Sequence, residues 1–298
     1  MADGAFDEDV CAGIFLTVAG IAIYCIVRFR QRPGDTTEPP QIYGSNHIEL
    51  AWTIVPVLIV LILFLATART INELEPGRAP QNALKATIVG HQWWWEIRYP
   101  ELGVTTANEL HLPASDAGDR RPTFLRLESA DVIHSFWIPQ LAGKTDVIPN
   151  RVNEMWVEPR ETGVFLGQCA EFCGTQHANM LLRVVVHPKA EFEAWVAAQR
   201  KPETAEAKVA AGRGVFQATA CVNCHTLGGT VGTGTFGPDL THLMSRATIG
   251  AGAAENTPAN LRAWVVDPGT IKPGVLMPAM KLSDDEVDKL TAYLLTLQ

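Results

Sequence analysis

The chain has no run of basic residues. Its 24 Lys and Arg are outnumbered by 32 Asp and Glu, a net charge of −8 over 298 residues. That balance excludes the basic surface nucleic-acid binding needs, and leaves basic protein partners or plain solubility. Cysteine is scarce. Six thiols fall by context into three pairs, Cys11 with Cys25 in an apolar segment, Cys169 with Cys173, and Cys221 with Cys224, so none remains for a disulfide framework. A nucleophile elbow, a P-loop and paired carboxylates in a recognisable frame are all missing, and hydrolytic chemistry therefore lacks material. Internal repeats and low-complexity tracts are missing too. What the chain does have is apolar content, 47% of its residues, enough for membrane segments plus two modest domains with their own cores.

Val10 to Val27 carries no charge, and at 1.5 Å rise per residue it reaches about 27 Å, close to the roughly 30 Å of a bilayer core. Leu50 to Ala68 is uncharged as well, with Pro56 near its start, a placement lipid-embedded helices tolerate. Both are predicted to span, at about 10–27 and 50–68, as a transmembrane hairpin. Two buried helices of a soluble protein are the alternative, disfavoured by such charge-free lengths. Arg28, Arg30 and Arg32 follow the first run, while Asp3, Asp7, Glu8 and Asp9 precede it. The positive-inside rule thus puts the loop in the cytoplasm and both termini outside, and Arg69 and Arg78 weaken that asymmetry without reversing it. No cleavable signal stands ahead of Val10, and the expectation is a processed or truncated N-terminus.

From Lys85 to His187 the pattern changes to short β-type runs broken by Pro and Gly: Ala86–Val89, Trp93–Tyr99, Thr123–Leu127, Asn153–Val157, Val164–Leu166 and Leu181–Val186. Such spacing predicts an antiparallel sandwich or Greek-key barrel. Pro188 to Arg200 turns helical, 201–208 is a charged, Ala-rich linker, and the rest is helical. There an amphipathic helix begins near Val209, and Leu282–Leu297 closes the chain behind a capping box of Ser283 and Glu286.

Cys169-Ala-Glu-Phe-Cys-Gly-Thr-Gln-His-Ala-Asn-Met180 offers two thiols, an imidazole and a thioether from one loop. Soft sulfur donors with imidazole select copper over hard divalent ions, and a Met among Cys and His marks redox copper rather than structural zinc. Two cysteines four apart can face one side of a tight turn, where each thiolate bridges two metal ions and a shared electron spreads over both. A second imidazole has to come from elsewhere. His134, in Ser129-Ala-Asp-Val-Ile-His-Ser-Phe-Trp137, lies on a strand-like segment and is the best candidate, against the alternative of a satisfied core histidine. Cys221-Val-Asn-Cys-His225 has the spacing for covalent haem c attachment, with Cys221 and Cys224 forming thioethers and His225 the proximal ligand. Around it stand a helix with Gly212 and Phe216, the stretch Gly237-Pro-Asp-Leu240, and a terminal helix carrying Tyr293.

With these residues in view, the chain resembles subunit II of the cytochrome c oxidases. The resemblance is carried by Cys169–Met180, by His134 to Pro139 with Lys144-Thr-Asp146, and by Gly90-His-Gln-Trp-Trp-Trp95. With its appended haem domain it resembles the caa-type oxidases over nearly its whole length. The resemblance implies a cupredoxin holding binuclear CuA through His134, Cys169, Cys173, His177, Met180 and the backbone carbonyl of Glu171. It also implies a magnesium site shared with subunit I that uses the Glu171 side chain. Trp93 occupies the position through which family members admit electrons, although the run here is Trp-Trp-Trp rather than the commoner Trp-Tyr-Trp. For Trp94 and Trp95 the alternative is sheet core or an interfacial belt. Glu49, three residues before Trp52, matches a glutamate at the mouth of a proton pathway into subunit I; a solvated helix-end carboxylate is the competing explanation. Met277 of Leu276-Met-Pro-Ala-Met280 is implied as the sixth haem ligand, with Met280 and Met244 as alternatives, and a His/Met pair raises haem potential and closes the iron to dioxygen.

The expected organisation is a transmembrane hairpin (1–80), an all-β Greek-key cupredoxin with a trailing helix (81–200), a linker (201–208) and an all-α class I cytochrome c domain (209–298). The expected function is electron input from cytochrome c or another donor, through haem c and CuA, to a dioxygen-reducing subunit I. The expected place is the bacterial inner membrane, multi-pass, with both redox domains on the periplasmic side. A CuA-bearing nitric oxide reductase and a membrane-tethered copper chaperone are the alternatives; a quinol oxidase subunit is excluded because it lacks the CuA cysteines.

Overall fold

The computed structural model describes every residue except 1, 2, 35, 37, 39, 42, 75–82, 117 and 202–208. All but the first residue of the expected linker thus lies outside the described residues, as does Arg78. The chain forms two compact units, residues 1–64 and 65–298.

Helix α1 runs Asp3–Phe29 and α2 runs Asn46–Leu74 with Pro56 inside it. Both are long and apolar enough to cross a membrane, over Cys11–Phe29 and Asn46–Glu73. Their large side chains, from Ile14 to Phe29 and from Ile48 to Leu65, are exposed, as a hydrocarbon-facing helix requires and a soluble core helix forbids.

Two five-stranded sheets make the central domain, ten strands where the hydrophobic pattern suggested six. The first has the order β3-β2-β1-β5-β8, from Val104–Ala107, Trp94–Tyr99, Leu84–His91, Thr123–Ser129 and Asn153–Val157. The second has β4-β10-β9-β6-β7, from Glu109–Pro113, Leu181–His187, Gly163–Cys169, His134–Trp137 and Thr145–Val147. Ile88, Trp95, Ile97, Leu125 and Leu127 of one face Leu110, Leu112, Phe136, Leu182 and Val184 of the other in a single cluster, the packed core expected of a sandwich. The sheets are not wholly antiparallel, since β1 pairs with β5 and β10 with β4 in parallel. Strand β4 escaped the pattern for a physical reason: it alternates polar and apolar, yet all five residues are buried. Its outer face is covered, with His111 stacked on Trp195 of helix α3 (Lys189–Gln199) at 4.1 Å.

Toward the C-terminus, α4 (Ala210–Ala218), α5 (Cys221–Cys224), α6 (Pro258–Val266) and α7 (Asp284–Leu294) surround a second core. The capping box forms at the start of α7, with Ser283 accepting from the Glu286 amide and the Glu286 carboxylate accepting from the Ser283 amide. Gly212 of α4 lies against α7, where an added Cβ would come 2.7 Å from the Tyr293 Cβ, and Phe216 meets the Tyr293 ring at 6.5 Å. A two-stranded ladder, β11 (Thr248–Ile249) with β12 (Ala254–Glu255), stands among these helices.

Candidate metal centre and haem pocket

Strand β9 ends on Cys169, a 3-10 turn covers His177–Asn179, and Met180 leads into β10. The hairpin connection therefore folds back on itself. Cys169 Sγ lies 3.8 Å from Cys173 Sγ and 3.2 Å from the Glu171 carbonyl, and Cys173 Sγ lies 3.7 Å from His177 Nδ1 and 3.9 Å from Met180 Sδ. The sulfur separation is far beyond a disulfide bond. His134 arrives from another strand: β6 pairs with β9, Phe136 opposite Cys169, which brings His134 Nδ1 to 3.9 Å from Cys169 Sγ. The ligand atoms of His134, Cys169 and Cys173 lie within 4.8 Å of one another, all buried. Gly90 makes room for the imidazole, because a Cβ there would come 2.8 Å from His134 Cδ2.

Proton positions follow from the contacts. Asp131 takes the Nε2 hydrogen of His134 at 2.8 Å, so Nδ1 is the nitrogen turned toward the sulfurs, the usual outer support of a metal-bound imidazole. The hydrogen bond between the two thiols holds the Cys169 thiol well below its ordinary range, against the opposing pull of burial. Cys173 is pushed far up by its hydrogen bond with Cys169 and by burial. Thiols bind metal as thiolates, so a soft cation taken up here releases protons. Buried thiolates, imidazoles and a thioether at contact distance fit copper. Asp131 was not anticipated as a supporting residue; its place three before His134 was the only signal.

The haem motif occupies one wall of an apolar cavity. Cys221, Cys224, His225, Met277 and Met280 line it together with Trp93 and Trp94 of the sandwich. His225 Nδ1 donates to the Pro238 carbonyl at 2.8 Å, so Nε2 is the nitrogen left to bind. Burial lowers the His225 pKa, with the Pro238 bond opposing it, and the ring is kept in the neutral, ligating form. Gly237 packs flat on this ring; a Cβ there would come 2.5 Å from its Cε1. These residues fit a covalently held haem. Met277 Sδ accepts from Trp264 Nε1 at 3.2 Å, and Met244 packs against the domain's core.

The three indoles separate by role. Trp95 is fully buried and meets Phe136 edge-on at 5.5 Å, a sheet-core residue. Trp94 stacks on His91 at 4.2 Å and clusters with Ala107 and Ala251. Trp93 Nε1 donates to the Cys173 carbonyl at 3.0 Å, so its ring touches the copper loop on one side and the haem cavity on the other. Glu49 lies in the first turn of α2, exposed, and joins neither cluster. Lys272 was missed entirely: it is 2% exposed and donates to the carbonyls of Trp93, Asn179 and Gly250. Nothing in Ile271-Lys-Pro-Gly274 distinguishes it from a surface lysine.

A cupredoxin sandwich with a copper-binding hairpin, joined to a c-type cytochrome domain behind two apolar helices, is a membrane-anchored electron-transfer protein. The family models for the transmembrane and periplasmic domains of cytochrome c oxidase subunit II match residues 9–68 and 118–187, and that for cytochrome c matches 209–298. The chain is 34% identical to cytochrome c oxidase subunit 2 of Alkalihalophilus pseudofirmus, over 98% of this chain and 87% of the relative. It is 33% identical to that of Bacillus subtilis, over 99% and 88%. Among solved structures, the periplasmic domain of subunit II from Bradyrhizobium japonicum is 31% identical with a TM-score of 0.38, covering 41% of this chain and 96% of that one. The chain belongs to the cytochrome c oxidase subunit II family. Both relatives carry the oxidase name, which does not favour the nitric oxide reductase and chaperone readings.

Proposed function

We propose that this chain is the electron-input subunit of a respiratory haem-copper oxidase, an oxidoreductase whose dioxygen site lies in partner subunit I. The carrying observation is the six-donor cluster, in which two thiols 3.8 Å apart stand between two imidazoles and a thioether. His134, Cys169, Cys173, His177, Met180 and the Glu171 carbonyl would hold CuA; Cys221, Cys224, His225 and Met277 would hold haem c. Bound there, the two groups supply one-electron carriers.

The chain's own residues keep each donor in place. Asp131 fixes the His134 ring and Pro238 fixes His225. Trp93 ties its indole to the copper loop at Cys173, which supports its role on the electron route. The apolar walls of the haem cavity exclude water, so charge changes there meet few solvent dipoles that must reorient. Glu171 is exposed at the loop tip beside Phe172, where a partner subunit's surface can share a magnesium ion with it. Glu49, in the first turn of α2, is assigned to the mouth of a proton path.

The division proposed is a two-span anchor over 1–80, the copper domain over 81–200, a linker over 201–208 and the haem domain over 209–298. The anchor crosses the bacterial inner membrane twice in contact with lipid, and both redox domains lie on the periplasmic side, reached by cytochrome c or another donor. Electron resonance on the purified complex tests the centre. A mixed-valence signal shared over two coppers is expected; a mononuclear copper spectrum overturns the assignment.

A further inference from the structure

We propose that Lys272 is a positioning residue for electron transfer: its ammonium pins the loop that carries the proposed axial Met277 to the copper loop, and so sets the separation of the two redox centres. The proposal rests on the electron-input reading above.

A lysine is almost never fully buried without a partner, and among the described residues this one forms no ion pair with a carboxylate. Its three hydrogens go instead to three backbone carbonyls, Trp93 at 2.9 Å, Asn179 at 2.8 Å and Gly250 at 2.7 Å. An ammonium has three donors and no acceptor, so the set is complete. The acceptors are not incidental. Asn179 immediately precedes Met180, and Trp93 is itself bonded to the Cys173 carbonyl; Gly250 belongs to the cytochrome domain. One atom thus gathers both sides of the copper loop and the haem domain. Five residues along the same loop from Lys272 lies Met277.

A reciprocal contact lies across the interface. Glu109 of the sandwich, 2% exposed, accepts from the amides of Ala247 and Thr248. Directional bonds to buried charge fix geometry more sharply than apolar contact does. Tunnelling rate falls exponentially with distance, so a loosened dock is read directly as a slower rate.

The test uses the intact oxidase complex, with flash reduction followed at haem and copper wavelengths. In the wild type, transfer within the chain is expected to be first order and insensitive to viscosity; its absence would overturn the electron-input reading rather than the role of Lys272. Lys272→Met is expected to slow the internal rate about tenfold or more and make it depend on viscosity, with the copper resonance, haem spectrum and haem potential unchanged. Lys272→Arg, which keeps the charge and donors, should recover most of the rate. An unchanged rate in Lys272→Met, or a slowed one accompanied by a shifted haem potential, overturns the proposal. If Lys272→Met loses haem or copper, hydrogen exchange in a Lys272→Gln complex decides. Faster exchange confined to residues 247–252 and 271–275 supports the pin, while exchange spread through the cytochrome core shows a folding residue and overturns it.

Discussion

The two redox sites of this chain are built in opposite ways. Around the copper loop the donors already touch: five of the six proposed ligands come from twelve consecutive residues, and the sixth, His134, is delivered by a neighbouring strand whose register is set by the sheet. Around the haem motif the ligand-bearing residues line a cavity instead, and Met277 lies more than fifty positions from His225. A sandwich core holds the first set in place independently of what binds. The second set is split between the short helix α5 on one wall and the 271–280 segment on another.

Four changes would break or sharpen this contrast. The largest effect is expected from Cys169→Ser. Removing one thiol of the proposed centre should abolish the mixed-valence copper signal while the haem c absorption spectrum stays as in the wild type, because the two proposed sites share no ligand. Concerted loss of both would show that the haem pocket depends on the copper loop.

Next comes Met277→Leu against Met280→Leu. Both side chains line the cavity, but only the first is expected to abolish the weak sulfur-to-iron band of the oxidised protein and to lower the haem potential. Reversed results would move the axial role to Met280.

Gly237→Ala probes the wall itself. A methyl group 2.5 Å from the His225 ring forces either ring or loop to shift, at a cost of about 1–3 kcal/mol. Calorimetry should show that loss in the cytochrome transition and leave the sandwich transition in place.

The smallest effect concerns Glu96, on the rigid side. Burial would raise its pKa, but hydrogen bonds and charge from His91 and Arg98 outweigh it and hold the carboxyl below its ordinary range. A depressed acid adds stability above its unfolded-state pKa and loses it as pH falls through the folded one. Glu96→Gln should therefore cost about 1 kcal/mol at neutral pH, and the gap from wild type should close as the solution is acidified below the carboxylate range. A gap independent of pH would mean that packing, not charge, is what Glu96 provides.

How much was legible in advance follows the same contrast. The thiol, imidazole and thioether donors of 169–180, the Cys221-to-His225 motif and the Ser283 capping box are compact in sequence and legible there. So were the two apolar helices, because hydrocarbon imposes a charge-free length. Strand β6 is legible only as the strand-like segment around His134, and β3, β4 and β7, three to five residues each, show no apolar run of their own. The polar residues of β4 are buried only because other elements cover them. The parallel pairings of β1 with β5 and of β10 with β4 leave no mark on hydrophobic order at all.

Residue type and local spacing therefore determined the chemistry of this protein, since thiolate, imidazole and thioether select their metals wherever a short loop can gather them. Tertiary structure alone decided how the two chemistries face each other: Trp93 between copper loop and haem cavity, Glu109 on the amides of Ala247 and Thr248, Lys272 on three carbonyls. Those contacts join residues far apart in sequence, and a buried ammonium or carboxylate is recognisable only once the fold has removed the water around it.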